Sequence, residues 1–379
     1  MLSFIFCLSL FMLFYTFIGY GLLIFLLSRI LNKKTDKKIF LPRISILIAA
    51  HNEEKAIEQR IKNILSLDYP KEQLELIIIS DGSTDRTVEI IKQLKVENLR
   101  FIQQEERIGK VSCLNKAVPL CSGEIVVFSD VRQRFELNAI KELTAHFADT
   151  KVGVMSGELC FEDEGKTITG EGVDFYWKYE KFLRKAESKL DSMVGATGAI
   201  YAIRKNLFKP IPADILLDDV LIPMNIVMQG FRCVFEPKAL AYDHVARTGH
   251  EEARRKIRTI AGNFQLFFRL PQLLNPFKNR IWFQAFSHKF LRLIAPIFIV
   301  SLLISNIFLM NKPIFKIFLT LQVLFYVFVI IGYILRRVNL RCRIFSIPYA
   351  FMLLNLITVR AFWEYLFFKP ERIWRTGEK

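Results

Sequence analysis

Apolar residues in this chain fall into two kinds of run, separated by what the polar residues between them allow. Four runs are long. Residues 2–31 carry no charge before Arg29, and residues 293–310, 314–335 and 345–368 are of similar character. A bilayer is crossed by roughly 20 apolar residues in a helix, so each is a candidate span. The first run exceeds the roughly 7–15 apolar residues of a signal peptide and lacks a basic start and a small-residue cleavage site, which favours a membrane helix. The fourth is interrupted by Arg360 and Glu364, and its pattern leaves open a crossing helix or a re-entrant, interfacial piece.

The short runs lie between these. RISILIAA (43–50), LELIIIS (74–80), EIVVFSD (124–130) and VGVMSGEL (152–159) read as buried strands. Charged stretches with helical spacing separate the first three: EEKAIEQRIKNIL, TDRTVEIIKQL and GKVSCLNKAV. Alternation of this kind predicts βαβ units and a mostly parallel sheet, and near-continuous Val, Ile and Leu suits strands buried on both faces. Further on, 173–190 reads as a long amphipathic helix and 194–205 as a glycine-rich stretch with strand-like ends. Residues 218–230 read as a helix ending at Gly230, and 264–292 as interfacial amphipathic helix, where Phe, Leu and Trp mix with Arg and Lys. The expected organisation is a membrane helix at 1–31, an α/β domain at 32–263, the interfacial segment at 264–292 and a membrane region of two or three helices with a basic tail at 293–379.

Composition agrees. Of 379 residues 52% are hydrophobic, and the 35 Phe suit lipid-facing segments. The net charge of +16 does not point to nucleic acid, because much of it borders the apolar runs: Lys33, Lys34, Lys37 and Lys38 after the first, and Arg336, Arg337, Arg341 and Arg343 after the third. Short basic flanks mark the cytoplasmic side, so 32–285 is expected in the cytoplasm of a cell (inner) membrane, with affinity for anionic membrane lipids. The tail 369–379, with Lys369, Arg372, Arg375 and Lys379, would then also prefer the inside. Six cysteines at 7, 113, 121, 160, 233 and 342 form no C-x-x-C pair, which argues against zinc and disulfides.

Two carboxylates stand at strand ends. Asp81 follows LELIIIS and Asp130 follows EIVVFS. Ligands of open α/β sheets bind at the carboxyl ends of the strands, so these acids mark a site for a nucleotide-linked substrate, with a metal as a further option at Asp130. AAHNEE (49–54) places His51, Asn52 and Glu53 at the end of the first strand, where Asn52 also reads as a helix N-cap. SDGSTDRT (80–87) supplies a turn at Gly82 and caps for the next helix. Lys110 opens a helix and suits phosphate binding as well as a solvated surface. Gln104 stands where a Walker loop needs Gly, which excludes a P-loop NTPase. Asp218 and Asp219 are either charges that complement a helix dipole or contain a general base. Arg254, Arg255 and Arg258 are either a membrane-surface patch or a pyrophosphate clamp.

The order of these motifs resembles the family 2 membrane glycosyltransferases, the group of hyaluronan, cellulose and poly-N-acetylglucosamine synthases, over roughly residues 40 to 265. The resemblance implies a GT-A, Rossmann-like domain between transmembrane helices, a nucleotide-sugar donor (a UDP-sugar), Mg²⁺ or Mn²⁺, and inversion at the anomeric carbon. It implies that His51, Asn52 and Glu53 line the uridine pocket, that Asp81 binds uracil or ribose, and that Lys110 approaches the phosphates. Asp130 matches the first acid of the D-x-D metal motif, and Asp219 the catalytic base beside Asp218. Gly195, Thr197 and Gly198 match the loop shaping the acceptor and donor-sugar site. Arg255 and Arg258 fall where processive members carry Q-x-x-R-W. Two departures stand out: Arg132 replaces the second acid of D-x-D, and the Gln and Trp of Q-x-x-R-W are replaced by Arg255 and Thr259.

The expected reaction is direct displacement, with Asp219 deprotonating an acceptor hydroxyl. Three or four spans are few for a secretion pore, which favours transfer to a lipid-linked or glycan acceptor. The competing expectations are a glucosyltransferase for a simple lipid, of polyprenyl phosphate or ceramide type, and a non-catalytic nucleotide-binding membrane sensor.

Overall fold

The computed structural model of the chain describes residues 1–162, 171–244, 249–338, 340 and 342–367; the tail 369–379 and Arg341 lie outside them. Among the described residues eight strands are present: β1 (Ile44–Ala50), β2 (Leu74–Asp81), β3 (Leu99–Gln104), β4 (Ile125–Ser129), β5 (Arg134–Phe135), β6 (Val152–Phe161), β7 (Tyr201–Arg204) and β8 (Arg232–Asp243). They form one mixed sheet in the order β3-β2-β1-β4-β7-β6-β8-β5. The β1–β2, β2–β3 and β1–β4 pairs are parallel. β7 runs antiparallel to both β4 and β6, β8 is parallel to β6, and β5 is antiparallel to β8.

The helices follow in chain order: α1 (Leu2–Ile30), α2 (Ile57–Leu65), α3 (Thr87–Gln93), α4 (Lys110–Ala117), α5 (Ala139–Thr144), α6 (Glu171–Leu190), α7 (Asp218–Met228), α8 (Gly249–Arg269), α9 (Trp282–Phe308), α10 (Pro313–Arg337) and α11 (Arg343–Phe367). Alternate residues of the central strands enter opposite cores. Ile46 and Ile48 of β1 pack with Ile57, Ile61 and Ile64 of α2, while Leu47 packs with Val111 and Leu114 of α4. The second core also takes in Leu221 of α7, Ala261 of α8 and Ile357 of α11, so it runs from the sheet into the long apolar helices. Burying both faces of β1, β2 and β4 is what the unbroken aliphatic runs require.

α1, α9, α10 and α11 are each long and apolar enough to cross a membrane. In α11 the two charges that break the apolar run form an i,i+4 pair, with Arg360 Nε 3.6 Å from Glu364 Oε1. The stretch 264–292 divides into three pieces. Phe264, Leu266 and Phe267 complete α8 and are buried in the core; a 3₁₀ turn spans Pro271–Leu274; and Trp282 begins α9, ahead of the apolar run at 293–310. β3 and β8 are two strands that the hydrophobic pattern did not announce.

The register fixes which residues share the upper edge. Ala50 lies opposite Ser80 and Ile48 opposite Ser129. One residue further on, His51 and Asp81 stand side by side, with Asp130 next to them across β1.

Candidate active site

Asp81, the last residue of β2, is buried. Its carboxylate turns toward the chain: Oδ1 accepts the N–H of Ile108 at 2.6 Å, and both oxygens accept the N–H of Gly109 at 3.0–3.1 Å. The 107–109 loop is held onto the end of β2 by these bonds. Gly82 permits the contact, since its φ is +61° and a Cβ there would stand 2.6 Å from the Arg107 nitrogen. His51 Nδ1 donates to the Asp81 carbonyl at 2.7 Å. Asn52 adopts φ 54° rather than capping α2, and its Oδ1 accepts the Thr84 N–H at 2.8 Å. The Glu53 N–H donates to Thr87 Oγ1 at 2.8 Å. The 51–54 and 80–87 motifs therefore brace one another.

The anchored loop delivers Lys110, the first residue of α4, to the middle of the edge. Its Nζ donates to Asp130 Oδ1 at 2.9 Å and lies 3.4 Å from Asp218 Oδ2. Burial opposes the charge on Lys110, but Asp130, Asp218 and Asp219 outweigh it and raise its pKa. Burial likewise opposes ionisation of Asp130, and Lys110, assisted by Arg258 and Arg132, overcomes it and holds that carboxyl below its ordinary value. Asp218 is buried at the start of α7, and its Oδ2 makes no hydrogen bond among the described residues.

Asp219 behaves differently. Burial first, then the negative charges of Asp218 and Asp130, push its pKa up to about 6 against the pull of Lys110 and Arg184. Its seat is the 195–198 loop. Its carbonyl accepts the Ala196 N–H at 2.7 Å, and its carboxylate lies over Gly198, where a Cβ would come within 2.8 Å of Oδ2. Thr197 is fixed from two sides: its N–H donates to Ser156 Oγ at 2.9 Å, and its hydroxyl accepts a hydrogen bond from Arg184. Gly195 has φ 77° and packs against Val220. From α8, burial and the like charges of Arg132 and Arg258 lower the pKa of Arg255, partly offset by Asp243 and Glu251. That pattern puts the two α8 arginines within electrostatic reach of Arg132 and Asp130.

Lys110, Asp130, Asp218, Asp219 and the 195–198 loop are thus brought together by direct contacts, Arg255 and Arg258 act on the same group through charge, and His51, Asn52, Glu53 and Asp81 brace the β1–β2 end of the same sheet edge. Three contributors escaped the motif search. Arg60 is buried beneath Asp130, donating to Ser129 Oγ at 2.8 Å, with its guanidinium 4.0 Å above the Phe135 ring. Burial lowers its pKa to about 9 despite the nearby Asp130. It sits three residues after Ile57 on the apolar face of α2, which was its one signal in the sequence. Tyr201 of β7 stacks on Phe128 at 4.7 Å, and its buried hydroxyl has no hydrogen-bond partner among the described residues. Arg184, from α6, carried no signal beyond membership of a charged helix.

For a divalent cation, the donor set is spare. Among the described residues no group of three or more His, Cys, Asp or Glu is gathered for a metal. Asp130 and Asp218 do both approach the Lys110 ammonium, and Asp218 Oδ2 meets it as an ion pair without a hydrogen bond. One or two carboxylates completed by substrate phosphates are a common Mg²⁺ arrangement, so these residues fit such an ion when a diphosphate is also present.

The architecture is that of a GT-A glycosyltransferase joined to apolar helices. A mannosyltransferase from Pyrobaculum calidifontis, solved with GDP-Man and Mn²⁺, superposes with a TM-score of 0.72 at 21% identity, covering 97% of this chain and 99% of that one. Residues 45–211 match the model of glycosyl transferase family 2, and residues 130–362, more than half of the chain, match that of glycosyl transferase family group 2. The chain belongs to the family 2 glycosyltransferases. Among curated relatives, a poly-β-1,6-N-acetyl-D-glucosamine synthase of Staphylococcus aureus is 25% identical over 245 residues, 63% of this chain and 59% of that protein. The probable glycosyltransferase YdaM of Bacillus subtilis is 27% identical over 262 residues, 65% and 61% respectively. The matched stretch spans about three fifths of the length of these relatives.

Proposed function

We propose that this glycosyltransferase moves a sugar from a UDP-sugar to a lipid-linked or glycan acceptor at the cytoplasmic face of a cell membrane, with inversion, in the assembly of a cell-surface glycan or exopolysaccharide. The observation that carries the reading is Asp219. A carboxylate with its pKa raised to about 6 lies over Gly198 in the 195–198 loop, within electrostatic reach of Lys110 and Arg184. A general base works best when its pKa lies near the operating pH.

In this reading Asp219 takes the proton of the acceptor hydroxyl, whose oxygen attacks the anomeric carbon from the side opposite the departing diphosphate. Lys110, Arg255 and Arg258 meet the charge that grows on that diphosphate. Asp130, with Asp218 in reach, would hold Mg²⁺ or Mn²⁺, which when bound would supply further positive charge to the leaving group. His51, Asn52 and Glu53 line the nucleoside end. Asp81 serves that end through the 107–109 loop, whose N–H groups it holds. Gly195, Thr197 and Gly198 shape the sugar and acceptor side. The relationship to a poly-β-1,6-N-acetyl-D-glucosamine synthase supports a glycan product, and the absence of the Q-x-x-R-W glutamine and tryptophan favours single transfers over polymer secretion.

The test is a donor screen on detergent-solubilised protein, with UDP-glucose, UDP-N-acetylglucosamine and GDP-mannose, each with and without Mg²⁺ or Mn²⁺. Radiolabelled product is then partitioned into solvent. Turnover of one UDP-sugar that needs the ion, with label entering a lipid or glycan fraction, is the expected result. Failure to turn over any nucleotide sugar under all these conditions would remove the proposal.

A further inference from the structure

Arg184 connects the 195–198 loop to the long apolar helices. It lies one turn beyond Glu180 on α6, with Nε 3.6 Å from Glu180 Oε1. Glu180 is buried and is claimed from the other side by α9: Lys289 Nζ donates to Oε1 at 2.7 Å, Arg292 donates to Oε2 at 3.0 Å, and His288 Nε2 lies 3.0 Å from Oε2. His288 also meets Glu187 of α6 at 2.8 Å, and Glu187 accepts the Tyr20 hydroxyl of α1 at 2.6 Å. One end of Arg184 is therefore tied to a polar network joining α1, α6 and α9. The other end donates to the Thr197 hydroxyl. The side chain also borders a small hollow lined by Glu158, Trp177, Lys181 and Phe235.

We propose that Arg184 is a positioning residue for the transfer reaction: anchored through Glu180 to α9, it holds Thr197, and with it the 195–198 loop, against Asp219. The inference rests on Asp219 being the general base. Displacing a catalytic group by about 1 Å can cost about a hundredfold in rate, and Ala196 and Gly198 both touch Asp219.

The experiment compares R184Q, R184K, T197V and D219N in nanodiscs, reading kcat, donor KM and melting temperature. R184Q is expected to lower kcat by about tenfold to a hundredfold while leaving donor KM within about twofold. R184K keeps the charge yet loses kcat as well, because an ammonium cannot reproduce the guanidinium fork. T197V removes the hydroxyl that Arg184 holds and loses kcat to a similar extent. If R184Q only lowers the melting temperature, or leaves kcat unchanged, Arg184 does not position the base. If R184Q fails to fold, R184K and T197V decide by the same readouts. An active D219N would overturn the base assignment itself, whereas an inactive D219N beside normal Arg184 variants defeats this inference alone.

Discussion

Replacing Asp219 with Asn separates the energetic burden of the base from its chemical use. The carboxyl titrates near 6 rather than the ordinary 3.8, with burial the leading cause. At about 1.36 kcal/mol per pH unit, that gap is worth at most about 3 kcal/mol. The sign follows from proton binding. The folded state holds this proton more tightly than the unfolded state, so stability falls as pH rises from about 4 to about 6 and is fully lowered above that range. Asn keeps the shape and removes the ionisation. D219N should therefore melt several degrees above the wild type at pH 7.5 and level with it near pH 4. Turnover should move the other way, falling by about 10²–10⁴ when the general base is removed, while donor binding persists. Thermal melts of solubilised protein at the two pH values, paired with sugar transfer in purified membranes, measure both. An active D219N, or one whose melting point gains nothing at pH 7.5, would refute this account of Asp219.

Three other outcomes follow from the same contacts. K110Q removes the cation shared by Asp130 and Asp218, so donor KM should rise at least about tenfold and the acidic limb of the rate profile should move upward; an unchanged limb would mean Lys110 does not act on Asp219. D81N exchanges a charged acceptor of two backbone N–H groups for a neutral one, costing about 1–3 kcal/mol, which should appear as a lower melting point together with weaker donor binding. G198A sets a methyl group against Asp219 Oδ2 and should depress kcat with little change in melting temperature or donor KM, measured by steady-state kinetics beside a thermal melt.

What the sequence disclosed depended on whether a signal was local. β1, β2 and β4 were legible because strands covered on both faces must be aliphatic throughout. β3 was not, since LRFIQQ is an edge strand whose polar residues, Arg100, Gln103 and Gln104, break the apolar run without alternating. β8 carries Pro237 and Lys238 beside a shift in its pairing with β6, which broke the pattern a reader would follow. Register arithmetic has a similar limit at the site. It places Asp81 and Asp130 at the strand ends and helix periodicity starts α7 at Asp218, but neither says what a carboxylate at an edge will face. Asp81 turns back to hold the loop that carries Lys110, Asp130 takes that lysine, and Asp219 lies over Gly198, where burial and Asp218 raise its pKa. Their surroundings are set mostly by residues distant in sequence: Ile108 and Gly109 for Asp81, Lys110 for Asp130, and Ala196 and Gly198 for Asp219. The acids were readable as a set because each belongs to a motif. Their roles diverge because the fold gives each a different counterpart, so a substitution at any of those counterparts should alter the chemistry while every motif stays intact.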